Sequence, residues 1–258
     1  ILAGTVSPSG SLPDTWWTNN LLDPAMANFG VYTYTNVGDY SYASSPSKFT
    51  SYVVYQEGIY VGYRYTETRY EDAVLGTAGV GDYVYDDVVA YPFGYGLSYT
   101  TFEMSDMRVE KTGEGMETEY TVTVTVTNTG DTAGKKAVQI YAQKPYTDYD
   151  RQNQIEKASV ELVGYGKTAL LEPGASETVT VSIPEYFLTS YDALGTGEYI
   201  LDAGTYYLTA ADNNHAAITN ILAVKGFYPA TGMTAGGKTS LVYEIATYFP
   251  PDTDSPAH

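Results

Sequence analysis

Four acidic side chains fall close together early in the chain, Glu57, Glu67, Glu71 and Asp72. Carboxylates in proximity are what general acid–base chemistry needs. Here they occupy a strand start and a charged turn, with no partner in sight, which reads as a solvated face. Arg64, which alternates with an apolar face, is expected to pair with an acid outside this chain. Asp148, Asp150 and Asn153 are oxygen ligands of the kind calcium takes, but they lack the ligand spacing and glycine of an EF-hand loop. His215 has neither Cys nor His near it, which argues against a transition-metal centre. Gly94-x-Gly96 has no third glycine and no helix after it, so it is not a phosphate loop. Trp16 and Trp17 are the candidates for stacking on a sugar ring; packing at a domain seam is the preferred reading. No catalytic, cofactor-binding or metal-binding residue is assigned, and no cofactor is expected.

Elements that could position such residues are unevenly spread. The 28 Tyr, with abundant Thr and Val, favour β structure, and 43% hydrophobic residues suit a globular protein. Lys+Arg of 13 against Asp+Glu of 31 gives a net charge of −18, which argues against nucleic acid or an anionic membrane as partner. Without cysteine there is no disulfide or thiolate chemistry. No apolar run is long enough to cross a membrane as a helix. The compartment is left open, leaning to secreted or cell-surface, with the cytoplasm also allowed. Ile1 to Val6 reads as the end of a buried element rather than as a signal peptide, so the sequence is expected to be a fragment.

In residues 1–90 one short helix is predicted, with Asp23 as N-cap, Pro24 at the first position and Ala25 to Phe29 as body. Residues 31–50 are read as loop, and Tyr52 to Tyr65 as a strand with Ile59, Val61 and Tyr63 on one face. This piece holds too few elements to close a core alone. The dodecapeptide Tyr91 to Phe102 reads as a packed junction: Pro92, Gly94 and Gly96 shape turns, and Phe93, Tyr95 and Tyr99 supply apolar area. From Tyr120 onward the alternation is regular. Val122, Val124 and Val126 oppose Thr121, Thr123 and Thr125, and Val179, Val181 and Ile183 oppose Thr178, Thr180 and Ser182. A long loop is expected from Pro145 to Gln154 and a last strand from Ala216 to Val224. About seven short strands separated by turn signals predict an immunoglobulin- or fibronectin-III-like sandwich. Leu241 to Ala246 reads as one further strand, and Pro250 to Pro256 as linker.

These residues together resemble glycoside hydrolase family 3. Ile1-Leu2-Ala3-Gly4 with Pro8-Ser9-Gly10, Leu12-Pro13 and Thr15 resembles the end of that family's α/β sandwich domain. Glu57 to Tyr65 is similar to the domain's terminal strand. Tyr91 to Phe102 is similar to the junction into the fibronectin-III-like domain, and Glu161 to Tyr165 and Leu171 to Ser176 to a strand and turn within it. The resemblance implies a mainly β fold with this division: 1–90, the C-terminal part of an α/β sandwich domain, incomplete; 91–102, the inter-domain junction; 103–225, the fibronectin-III-like sandwich; 226–258, a linker or lead-in to a further domain. Asp202 to Leu208 and Asn220 to Ala223 resemble a permuted, bacterial subgroup in which a barrel follows.

The implied function is the non-catalytic portion of a retaining, exo-acting β-glycosidase, β-glucosidase-like, bracing the domain that carries the acid/base. The family's Asp nucleophile and Glu acid/base match no motif in this chain, so the chain alone is expected to be inactive. Its expected partners are the missing barrel and the rest of the α/β domain, with a β-glucoside or oligosaccharide as substrate of the whole enzyme. The alternative is a carbohydrate-binding or adhesion module without hydrolase activity.

Overall fold

The computed structural model describes residues 1–35, 51–77 and 79–247. The loop expected over 31–50 lies largely outside these residues, and the Pro-rich stretch Pro250 to Pro256 wholly so.

The chain opens with β1 (Trp16–Trp17), α1 (Pro24–Asn28), β2 (Tyr32–Thr33), β3 (Ser51–Tyr52), α2 (Tyr63–Leu75), α3 (Tyr85–Val88) and β4 (Val89–Tyr91). Helix α1 forms as its sequence predicts, with the Asp23 carboxylate accepting from Ala25 N and Pro24 at the first position. The strand expected over Tyr52 to Tyr65 does not form. Strand β3 stops at Tyr52, and α2 begins at Tyr63 behind Gly62 (φ 57°) and ends at a left-handed Gly76. The buried positions of α2 are Thr66, Glu67, Tyr70 and Val74. Their spacing is helical, but two are polar, so the inward face does not look apolar in the sequence.

The second part carries β5 (Phe102–Thr112), β6 (Glu119–Asn128), β7 (Ala137–Gln143), α4 (Asp148–Asn153), β8 (Glu161–Lys167), β9 (Ser176–Pro184), β10 (Ser190–Tyr191), β11 (Tyr199–Ile200), β12 (Gly204–Ala211), α5 (Asn214–Val224) and β13 (Val242–Thr247). Two antiparallel sheets face each other, one of order β5-β6-β9 and one of order β13-β12-β7-β8. Their facing side chains make one core: Val122, Val124 and Val126 from β6, Val181 and Ile183 from β9, Ile140 from β7, Leu208 from β12. The alternating Val/Thr pattern therefore does what it predicts, apolar inward and threonine outward. Strand β5 escapes that pattern because a bulge between Ser105 and Arg108, with Asp106 at φ 51°, shifts its register.

Two expectations in this half are corrected. Ala216 to Val224 is helix α5, started by the Asn213 side chain accepting from Ala216 N. It is buried on most sides, and a short apolar run in a buried helix looks like a buried strand. Within Pro145 to Gln154, α4 forms on a reciprocal cap between Thr147 and Asp150. The further strand read at Leu241 to Ala246 does form, as β13, which pairs with β12 from Val242↔Thr209 to Thr247↔Gly204 and makes an edge of the four-stranded sheet.

A second core lies on the outer side of that sheet. Tyr70 and Val74 of α2, Tyr85 of α3 and Ile218, Ile221 and Leu222 of α5 pack with Tyr141 of β7. Strand β7 is consequently buried on both faces. Val138, Ile140 and Ala142 face the sandwich core, while Tyr141 faces the helices. Ile140→Ala should cost about 2–5 kcal/mol, since Ile140 is fully buried. Thr180→Ala, on the outward face of β9, should stay within about 0.5 kcal/mol. Urea unfolding of the two variants measures the contrast.

Candidate functional site

The densest set of chemistry-bearing side chains sits where α2, α3 and α5 meet, around Glu67. Its carboxylate is fully buried, not on a solvated turn as the sequence reading had it. Oε1 accepts from the Tyr85 hydroxyl at 2.7 Å and from Asn214 Nδ2 at 2.8 Å. Oε2 lies 2.9 Å from His215 Nδ1. The other imidazole nitrogen, Nε2, is 2.7 Å from Thr234 Oγ1. The imidazole ring stacks on the Tyr85 ring at 3.7 Å, and the Tyr70 ring lies 4.5 Å away, tilted against it.

Burial, and then the adjacent Glu67 charge, push the Tyr85 phenol far above its ordinary range. Tyr83 is raised by the same two causes in the same order. Both phenols therefore stay protonated, and Tyr85 stays a donor to the carboxylate. Carboxylate, imidazole and hydroxyl stand in the order used to activate a nucleophile. Against that use, both carboxylate oxygens are taken by donors and the side chain has no exposed surface. Thr234 is also tied down, its N donating to the Tyr70 hydroxyl at 3.0 Å. The arrangement ties the segment around Thr234 and α5 to α2.

Other ion pairs continue the seam. Arg64 Nε is 3.0 Å from Glu161 Oε1, and Lys144 Nζ is 2.9 Å from Glu161 Oε2. Arg64 thus meets an acid of β8 within this chain, not one from outside it. Glu71 takes Gln143 Nε2 and Lys225 Nζ, each at 3.0 Å. Glu57 lies half-buried in the turn before α2, and Asp72 half-buried on α2. The carboxylates grouped in sequence are therefore spread along one helix and its approach rather than converging on a common point.

The residues weighed for calcium are used differently. Lys157 Nζ lies 2.8 Å from Asp150 Oδ2, 2.5 Å from Asp202 Oδ2 and 2.8 Å from the Pro145 carbonyl. An ammonium stands where a bound cation would have to sit. Asn153 Nδ2 donates to the Tyr149 carbonyl, and the Asp148 carboxylate pairs with exposed Arg151. Among the described residues no cluster of three or more His, Cys, Asp or Glu could hold a metal ion.

The junction is built backbone to backbone. Gly94 N donates to the Leu12 carbonyl at 2.9 Å, and Leu12 N to the Tyr95 carbonyl at 2.7 Å. Gln139 Nε2 donates to the Gly94 and Asp212 carbonyls at 3.0 and 2.9 Å, and Tyr141 OH donates to Gln139 Oε1 at 2.6 Å. Gly94 has φ +84°, and a Cβ there would run into the Gln139 carboxamide. A Cβ on Gly96 would lie 2.5 Å from the Gly10 carbonyl oxygen. Phe93 stacks on Tyr63 at 4.6 Å. Tyr99 is half exposed, its hydroxyl donating to the Ile1 carbonyl. Trp16 is more than half exposed and meets Tyr91 edge-on at 6.1 Å; Trp17 is half-buried, 6.3 Å from Tyr65. The two tryptophans are neighbours on β1 with different ring partners, and they form no common platform.

Sequence reasoning missed Glu67, Tyr85 and Asn214 as a set. The one signal was Glu67 in helical register with Tyr70 and Val74. Glu67→Ala would strand the Tyr85 and Asn214 donors in a buried site, at a cost of at least about 3 kcal/mol, read by urea unfolding. Gly96→Val should lower the thermal midpoint by forcing Gly10 away. Because the buried phenols favour their protonated form, their stability contribution is fully present below the ordinary phenol pKa of about 10 and is lost as pH rises above it. Tyr85→Phe should flatten that alkaline loss, measured as urea midpoint against pH.

Residues 136–214 match the fibronectin type III-like domain family. Over 221 residues the chain is 34% identical to β-glucosidase A of Butyrivibrio fibrisolvens, covering 80% of this chain and 22% of that protein. It is 31% identical over 254 residues to an exo-α-(1→6)-L-arabinopyranosidase of Bifidobacterium longum, covering 96% of this chain and 26% of the relative. The crystal structure of a β-glucosidase from Paenibacillus barengoltzii superposes with a TM-score of 0.63 at 34% identity, over 83% of this chain and 19% of that one. A family 3 β-glucosidase of Bifidobacterium adolescentis superposes at 0.60 with 30% identity, over 83% of this chain and 25% of its own. The chain spans only about a quarter or less of the length of these relatives. A fibronectin type III-like domain at residues 136–214, within a chain matched this broadly by β-glucosidases, makes the whole resemble a β-glucosidase-like segment of a family 3 glycoside hydrolase.

Proposed function

We propose that this chain is the non-catalytic portion of a retaining, exo-acting β-glycosidase of β-glucosidase type. Its sandwich braces the α/β domain that carries the acid/base. The observation that carries this reading is where exposed apolar surface lies. Most of the large apolar side chains exposed among the described residues precede Thr100, including Leu2, Leu21, Phe29, Val31, Tyr55 and Leu97. Apolar exposure gathered in one part of a chain marks a surface that another body covers. The small share of each relative that the chain spans supports the same view.

The partners are then the rest of the α/β domain and a barrel, and the substrate of the whole enzyme is a β-glucoside or oligosaccharide. In this proposal residues 1–90 complete the α/β domain, 91–102 are the junction and the sandwich, which includes β13, follows, with the chain beyond β13 leading toward the barrel in a permuted order. Double displacement at a sugar needs two carboxyl groups held at a set separation. Errors of about 1 Å in such placement cost on the order of 100-fold in rate, which is what a rigid brace prevents. The seam is suited to that task, being held by backbone pairs, the Phe93–Tyr63 stack and the buried Glu67 carboxylate. A glucosidase and an arabinopyranosidase share this segment by name, which fits a scaffold that does not choose the sugar.

Incubated alone with an aryl β-glucoside, the chain should release no aglycone above background. Sustained hydrolysis that survives repurification of the chain would overturn the proposal.

A further inference from the structure

At one end of the sandwich, among residues that neither seam nor junction uses, the structure holds an open cleft of about 980 Å³. Its walls come from the β5–β6 hairpin around Gly113 and Gly115, from Glu185 and Tyr186 after β9, from Tyr199 of β11 and from Tyr243 of β13. The rings of Tyr186 and Tyr199 lie 5.2 Å apart at an angle of 60°, and Tyr191, outside the cleft wall, lies 5.2 Å from Tyr199 at 57°. Tyr186 and Tyr199 are both more than half exposed. Single exposed rings need no explanation, but a row of touching rings at a concave surface is a feature of binding sites.

The polar groups beside the rings narrow the ligand. Glu114, Glu185 and Glu244 line the cleft with Lys111 as its cation. Glu185 Oε1 accepts from the Tyr120 hydroxyl at 2.9 Å and lies 3.5 Å from Lys111 Nζ, which holds it at the wall. Excess negative charge, locally and across a chain of net charge −18, repels phosphate, sulfated glycans and nucleic acid. A neutral polyol fits both halves of this surface. The C–H face of a pyranose stacks on a phenol ring, and its hydroxyls donate to the carboxylates of the cleft wall.

We propose that this cleft binds a neutral oligosaccharide of two or three pyranose units, with Tyr186 and Tyr199 each offering a ring face for stacking. This rests on the cleft alone and not on the bracing role proposed above, so either can fail without the other.

Titration of the 258-residue chain with cellotetraose and with laminaritetraose, followed by calorimetry and tyrosine fluorescence, tests it, with a sulfated tetrasaccharide as control. At least one neutral ligand should bind with a dissociation constant on the order of 1 mM or tighter, and the sulfated one should not. Tyr186→Ala and Tyr199→Ala should each weaken binding about tenfold. Tyr199→Phe should retain most of it. Tyr165→Ala, at an exposed ring outside the cleft, should leave it unchanged. Unaltered far-UV dichroism and thermal midpoints would show that the variants fold. Absence of binding by both neutral sugars, or binding indifferent to Tyr186→Ala and Tyr199→Ala, would overturn the proposal. So would self-association of the chain that Tyr199→Ala abolishes, since a second copy would then be the occupant.

Discussion

Burial of β7 on both faces is the constraint on which the rest of this structure depends. A strand in an ordinary two-sheet sandwich shows one face to water. Here the outward face of β7 lies beneath the helices, so every polar group on it must find a partner inside the protein. Gln139 meets that demand at both ends of its amide, holding the carbonyls of Gly94 and Asp212 and accepting from the Tyr141 hydroxyl, and Gln143 Nε2 holds the Glu71 carboxylate and the Ser159 carbonyl. The junction and helix α2 are therefore attached to the sandwich by the same residues that satisfy the strand. A change in the junction's path would leave buried amides without partners, which makes the crossing a single geometry.

The buried Glu67 cluster extends the same logic one layer out. A carboxylate removed from water costs free energy unless charged or neutral donors surround it. Tyr85, Asn214 and His215 do so from two separate helices. Packing of α2 against α5 by apolar contact alone would tolerate sliding, whereas hydrogen bonds from fixed directions do not. The Lys157 ammonium between Asp150 and Asp202 plays the matching part for α4 and the loops before β8 and β12. Both clusters look like catalytic or metal chemistry when read as residue types. In place, the charged groups of each are turned on partners within the cluster, so each ties separate segments of the chain together.

The parts legible in the sequence were those in which one residue's neighbours along the chain settle its environment. The Asp23–Pro24 helix start and the Val/Thr alternation of β6 and β9 are of this kind. Trp16 and Trp17 fell between, since adjacent rings on a strand point to opposite faces and only the fold shows which partners each meets. Glu67, Asn214 and His215 were illegible as a set, because they stand about 150 positions apart and nothing local marks their meeting. The surface row of Tyr186, Tyr191 and Tyr199 was hidden in the same way within a chain that has 28 tyrosines.

By itself, then, the sequence determined the two-sheet sandwich and its inward face, because period-two alternation is a local property that burial reads directly. It also determined the acidic surface and the family likeness, which rest on composition and motif order. Only the tertiary structure decided that residues 63–75 and 214–224 are helices, that 242–247 close the sheet edge, and that Glu67 is buried. Those outcomes turn on which surfaces the rest of the chain covers: a short apolar run becomes helix or strand, and a carboxylate goes inside or stays out, according to partners that lie far away in sequence.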